Sequence, residues 1–207
     1  MALEILTDGS LFATNKLGMV NVCLLGIGEI PLVDGTVLST LVSGTDGAIA
    51  RDIVATTIIQ VLAKGWFFNT DVNFPFIPDS FGFIVTPPNL LRIDSGRTDQ
   101  RNIISVRGNR LYNLETQSFE FPKTIKLDAV WIVEYEDLPQ QAYNYIALRA
   151  ARKFQQSIVG SSDLHMFTKA DEQEALMDLQ REDLQYRDVN LIPERTRGFT
   201  NPKWGND

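Results

Sequence analysis

Two helix-compatible stretches of opposite charge stand back to back in the last third of the chain, and they restrict its folds more than any other feature. Between Leu138 and Ile158 there is no acidic residue, while Arg149, Arg152 and Lys153 are present. Between Asp171 and Asp188 seven acids (Asp171, Glu172, Glu174, Asp178, Glu182, Asp183 and Asp188) stand against Arg181 and Arg187. In the first stretch Ala142, Ile146, Ala150, Phe154 and Ile158 form an i+4 ridge, and its two alanines let a partner backbone approach closely. In the second, from about His165 to Arg187, Ala175, Leu176, Leu179 and Leu184 supply a thin apolar stripe. An acidic helix is by default a solvated face. The sharper reading is that it pairs with the basic helix, within one subunit or between subunits.

A chain of 207 residues with 44% apolar content can bury a substantial core in one large domain or two intimate subdomains. Its net charge of -7 and pI near 4.8 argue against bulk phosphate binding, which needs clustered Lys and Arg. Cys23 is the one cysteine, so no intrachain disulfide can form. It lies in the apolar run Val20 to Leu25 and reads as a buried thiol rather than a nucleophile. The start, Met-Ala-Leu-Glu, has an acid where a secretory leader carries basic residues, and the longest apolar stretch, Leu17 to Val33, is broken by Asn21, Glu29 and Pro31. The expectation is a soluble protein without a signal of its own and without a membrane span.

Four helices are predicted. The first runs from about Ser10, its cap, to Leu25, with Leu11, Thr14, Leu17, Gly18, Asn21, Cys23 and Leu25 loosely at helical spacing; Gly26 and Gly28 stop it. The second follows Thr45 or Asp46 as cap; Ala50, Ile53, Val54, Thr57, Ile58, Val61 and Leu62 give a broad apolar face, and Gly65 ends it. The third begins after Pro139 and the fourth after the loop Gly160 to Asp163. Between the pairs, residues 67–137 have strand character. Ile103 to Val106 and Leu111 to Leu114 flank a hairpin turn, and Leu127 to Tyr135 is the strongest strand. The fold class is therefore α+β: a helical core like a four-helix bundle (residues 1–66 and 138–189), an inserted small, mostly antiparallel β subdomain (67–137) and an extended C-terminal arm (190–207). Pro193, Gly198, Pro202 and Gly205 prevent regular structure in the arm.

Little chemistry is on offer. Gly26-Ile-Gly28 lacks the strand before it and the helix after it that a dinucleotide loop needs, so it reads as a helix-terminating turn. His165 is the only histidine, too few for a histidine-based metal cluster. Glu134 and Glu136, on one face of the last strand and followed by Asp137, are a carboxylate pair of the kind that cleaves glycosides, or simply a solvated strand end. Lys64 to Phe68 reads as a helix end followed by core aromatics in preference to a stacking site for single-stranded nucleic acid. A nucleic-acid module built on Arg149, Arg152 and Lys153 is a further alternative. No catalytic residue, cofactor or metal is assigned.

The order of features resembles a known family. An N-terminal helix ends in Ile27-Gly-Glu-Ile-Pro-Leu-Val33; a second ends in Ala63-Lys-Gly-Trp-Phe-Phe-Asn69. Then come Tyr135-Glu-Asp-Leu-Pro139, Tyr145-Ile-Ala147, Ala150-Ala-Arg-Lys-Phe-Gln155 and an acidic helix with Glu172-Gln-Glu-Ala175. This looks like the tail tubular protein A family of short-tailed bacteriophages, over residues 10 to 190. The resemblance implies a helical fold with a β-rich subdomain and no catalytic residues. It implies a dodecameric ring at the head-to-tail junction of the virion, assembled in the host cytoplasm. The portal protein lies above that ring and the nozzle (tail tubular protein B) below it, with a tail fibre as a further candidate neighbour. DNA passes through the centre without specific binding.

Contact residues follow from the charge pattern and the arm. Arg149, Arg152 and Lys153 suit head-to-tail contacts in which one patch meets a different patch on the next subunit. Leu191, Ile192, Phe199 and Trp204, with Arg195, Arg197 and Lys203 between them, are anchors on an arm of up to about 60 Å that could reach a neighbour or the portal.

Overall fold

The computed structural model describes residues 15–33, 35–94, 103–160 and 162–191, the backbone alone being described at 136, 162–168 and 188–191. Four helices, α1 (Lys16–Leu25), α2 (Asp46–Leu62), α3 (Gln140–Ile158) and α4 (Ser162–Leu191), are combined with small antiparallel sheets in an α+β fold. The strands all lie between α2 and α3: β1 (Thr70–Phe76), β2 (Leu90–Asp94), β3 (Ile104–Arg107), β4 (Arg110–Asn113) and β5 (Ile125–Trp131).

α3 is the hub of the helical layer, packing against α1, α2 and α4. Its ridge of Ala142, Ile146, Ala150 and Phe154 is fully buried, together with Tyr145. The two alanines let neighbouring helices close on it. α2 presents Ala50, Val54, Thr57, Ile58, Val61 and Leu62 to the same core, as its 3.6-residue period predicts. Its cap is Thr45, whose hydroxyl accepts from the Ala48 amide.

α1 departs from expectation in two ways. Its cap is Asn15, whose Oδ1 accepts from the Gly18 amide at 2.7 Å; Ser10 lies outside the described residues. Its buried face is Met19, Val20, Cys23 and Leu24, about one position away from the pattern read in the sequence, and Leu25 is exposed. Burial pushes the Cys23 thiol up to about 12, so the only cysteine is a neutral core group. The Gly26–Gly28 segment is a terminating turn: the Glu29 amide donates to the Leu24 carbonyl and the Gly28 amide to that of Leu25, with Gly28 at φ 82°.

β5 is the middle strand of the sheet β1-β5-β2 and pairs antiparallel on both sides. Ile125, Leu127 and Ala129 join Phe76, Ile84, Leu111 and Phe121 in a second core, separate from the helical one. The strand stops at Trp131 instead of running to Tyr135, where a 3-10 turn, Tyr135–Asp137, leads into α3. β3 and β4 form the expected hairpin about Gly108-Asn109. β1 is an edge strand: its pairing with β5 shifts register between Asp71 and Phe74 and it carries a proline at position 75, devices that blunt a sheet edge against further pairing.

The two cores meet at residues 65–69. Gly65 adopts φ 77°, and a Cβ there would lie 3.0 Å from Val130 Cγ2 and from Arg92 Nη2, so a larger residue would be strained. Asn69 is buried; its Nδ2 donates to the carbonyls of Leu62 (2.9 Å) and Trp131 (2.8 Å), and its Oδ1 accepts from the Trp66 amide (2.8 Å). It thus ties the last turn of α2 to the end of β5. The Trp66 ring is buried and donates Nε1–H to the Val61 carbonyl at 2.8 Å.

α4 outruns its expected end. It continues to Leu191, so Asn190 and Leu191 belong to the helix and not to the arm. A cut intended to remove only the arm therefore falls after Leu191.

These contacts predict the response of Trp66. Trp66→Ala should destabilise by about 3–5 kcal/mol, the range for a buried aromatic truncated to alanine. Trp66→Phe keeps most of the packing and loses the Val61 bond, at about 1 kcal/mol. Denaturant melts of the two variants check the order; equal midpoints for Trp66→Ala and the parent would show that the ring carries no core packing.

Candidate functional site

The charge-complementary helices meet within one chain. Glu172, on α4, is buried at 7% exposure and lies between two arginines of α3. Its Oε1 accepts from Arg149 Nη1 at 3.2 Å, and its Oε2 accepts from Arg152 Nε. Arg149 Nη1 also donates to the Tyr145 hydroxyl at 2.9 Å. The pairing left open between one subunit and two is met here inside the subunit, and two of the predicted contact residues hold α4 against α3. A carboxylate taken from water is stabilised only by such close, hydrogen-bonded partners.

Lys153 faces the other way. Its Nζ donates to Thr57 Oγ1 at 3.3 Å and to Gln60 Oε1, bridging α3 to α2. Burial first, then the positive charge of Arg149, depresses its pKa. Ile192, Arg195, Arg197, Phe199 and Trp204 lie outside the described residues.

The C-terminal half of α4 is fastened by residues that the sequence pattern did not single out. Asp183 Oδ1 accepts from the Phe67 amide at 2.7 Å, and its Oδ2 pairs with Arg187 Nε at 2.8 Å. Arg187 also donates to the Gly65 carbonyl, and the Tyr186 ring stacks on Phe67 with centroids 4.1 Å apart. The α4 stripe that faces inward is Glu172, Ala175, Leu176, Leu179 and Asp183, while Leu184 is 59% exposed. The usable signal was present: Glu172 and Asp183 stand three residues before Ala175 and four after Leu179, in register with the apolar stripe.

The groups considered for catalysis are not gathered into a site. The strand on which Glu134 and Glu136 were placed ends at Trp131; Glu134 is exposed at the start of a 3-10 turn, Glu136 lies within that turn, and the two do not share a strand face. The side chain of His165 lies outside the described residues. Among the described residues, no group of three or more His, Cys, Asp and Glu side chains could hold a metal ion, and no helix is long and apolar enough to cross a membrane.

Contact surfaces, by contrast, are prominent. Ile30, Val33, Val37 and Val42 in the α1–α2 connection are 58–86% exposed. The connection is pinned: Asn21 donates to the Leu32 carbonyl and accepts from the Leu32 amide, and Arg51 donates to the Leu38 carbonyl. Ile77, Phe81 and Val85 are similarly exposed between β1 and β2. Large apolar side chains grouped on a surface mark places where another protein sits.

Buried ion pairs fix the helices, and large apolar side chains stand exposed in the connections. Comparison with known proteins gives the chain a place. The model of the family described as Tail tubular protein matches residues 17–189. The chain is also similar to Tail tubular protein A of Klebsiella phage KP34, at 30% identity over 132 residues, 64% of this chain and 67% of that protein. The chain belongs to the tail tubular protein family and is a structural component of a bacteriophage tail.

Glu172 provides the sharpest check on the seam. Glu172→Gln leaves two arginines facing a neutral amide. It should destabilise by about 3 kcal/mol, the lower end for breaking a buried pair because the arginines keep some solvent. Glu174→Gln, on the exposed face, should change stability by less than about 0.5 kcal/mol. Reversing Arg149 and Arg152 to Glu should likewise lower the melting temperature before it affects assembly. Equal melts for Glu172→Gln and Glu174→Gln would show that the seam contributes nothing.

Proposed function

We propose that this protein is the head-to-tail adaptor of a short-tailed phage: one subunit of a dodecameric ring that docks beneath the portal, carries the nozzle below, and encloses part of the channel through which DNA is ejected. Family membership over residues 17–189 is the observation that carries this reading. The mass of exposed apolar side chains in the α1–α2 and β1–β2 connections supports it, since a ring between two other rings needs several contact faces per subunit. A formal charge of -7 on each copy also supports it, because a ring of acidic subunits leaves DNA mobile in its lumen. In this reading residues 1–66 and 138–191 form the helical subdomain, 67–137 the β-rich subdomain and 192–207 an arm that reaches a neighbour or the portal.

Enzymatic and nucleic-acid alternatives draw less support. The carboxylates proposed for glycan cleavage stand on a turn, and Arg149 and Arg152 are engaged with Glu172. Light scattering and negative-stain imaging of the purified protein, alone and mixed with portal rings, test the reading. A ring of uniform diameter in either sample is the expected result. A strictly monomeric mass in both samples contradicts it.

A further inference from the structure

The outward face of α4 has no occupant within the described structure and is built to take one. Glu174, Met177, Asp178, Arg181 and Leu184 recur at spacings of three, one, three and three residues, on the side opposite Ala175 and Leu179. Met177 and Leu184, two helical turns apart, are 61% and 59% exposed. Beside Leu184 opens a cleft of about 390 Å³, walled by Gln180 and Asp183 on one side and by Lys64, Gly65 and Trp66 on the other. The face is acidic, and its one ion pair among the described residues, Asp178 with Arg181, is solvent-exposed, so it is easily exchanged.

The segment from 192 to 207 has complementary chemistry. Arg195, Arg197 and Lys203 accompany Phe199 and Trp204, and no acid falls between Arg195 and Trp204. Extended, it reaches about 55 Å. The stretch of α4 from Glu174 to its end spans only about 25 Å. The arm is therefore long enough to leave its own subunit and still run the length of a neighbour's α4.

We infer that the C-terminal arm of one copy docks along the outward face of α4 of the next copy, with Phe199 or Trp204 seated in the cleft beside Leu184 and the arm's basic residues facing Glu174 and Asp178. This rests on the ring reading. A closed ring needs two different, mutually complementary patches on every subunit. The arm and the α4 face are such a pair, and they become adjacent only across a subunit boundary if the arm extends outward.

Site-directed disulfide bridging tests it. Cys23 is buried, with its thiol held neutral, and gives a silent background in the folded protein. Leu184→Cys is made on one tagged population of the full chain, and Phe199→Cys or Trp204→Cys on another carrying a different tag. The populations are mixed before assembly, oxidised and run on non-reducing gels, with negative-stain images of the same samples. The expected result is a mixed-tag dimer band from at least one pairing. Glu174→Lys with Asp178→Lys should weaken that band several-fold at low salt, and Arg195→Glu with Arg197→Glu should restore it. Rings without a mixed-tag band overturn the docking proposal alone. A bridge that closes only when both cysteines are on one chain also overturns it, because the arm then lies on its own α4. A mixed-tag band without rings supports the docking and overturns the ring; neither band nor ring overturns both.

Discussion

One carboxylate between two guanidinium groups holds the last helix in place. α4 is long and strongly acidic, and its apolar inward stripe among the described side chains is Ala175, Leu176 and Leu179. Glu172 meets Arg149 and Arg152 near one end of that stripe, and Asp183 caps the Phe67 amide near the other. Between these points Ala175 and Leu179 pack on α3. Removing a charge from water is unfavourable unless the partners are close and correctly aimed. The seam therefore fixes register as well as proximity: sliding α4 by one residue would take Glu172 out of reach of its two arginines.

The seam also decides what is left outside. Because Glu172 and Asp183 are used inward, Asp171, Glu174 and Asp178 are left exposed together with Met177 and Leu184. The same partition recurs elsewhere. Asn21 pins the backbone at Leu32, and Ile30, Val33, Val37 and Val42 are exposed on the same connection. A tail protein needs such surfaces presented in fixed positions, since ordering a loose loop on assembly would oppose binding. Asn69 links the end of α2 to the end of β5, so the helical core and the sheet core are joined through its side-chain amide, which donates to the Leu62 and Trp131 carbonyls.

Much of this was legible where the signal is local. α2 carries its cap at Thr45, its period of 3.6 and its terminating Gly65 in one continuous stretch. The hairpin at Gly108-Asn109 is equally self-contained, as is the turn at Gly26 to Gly28. The sequence pattern was less informative where the outcome depends on distant residues. The buried face of α1 is set by what α3 offers it, and the strand through Val130 ends at Trp131 because Tyr135 to Asp137 must turn the chain into α3. Assigning Leu184 to the inward stripe followed hydrophobicity; the inward position is taken by Asp183, which has a backbone amide from residue 67 to bond. Whether an acid in an acidic run is solvated or buried depends on a partner twenty or more residues away in sequence. Composition could raise the pairing of the two helices but could not say which acid carries it. The contact residues on the arm lie outside the described residues and stand as part of the proposal.

The central claim is that α4 is fastened to α3 of its own chain and that its outer face serves assembly. Electron cryomicroscopy of the tail, at a resolution that traces side chains, tests it most directly. The account predicts a ring in which Glu172 lies between Arg149 and Arg152 of the same chain and the outward face of α4 is covered by a neighbouring copy. Continuous density placing α4 against the α3 of a neighbouring subunit, with Glu172 between that neighbour's arginines, would contradict it.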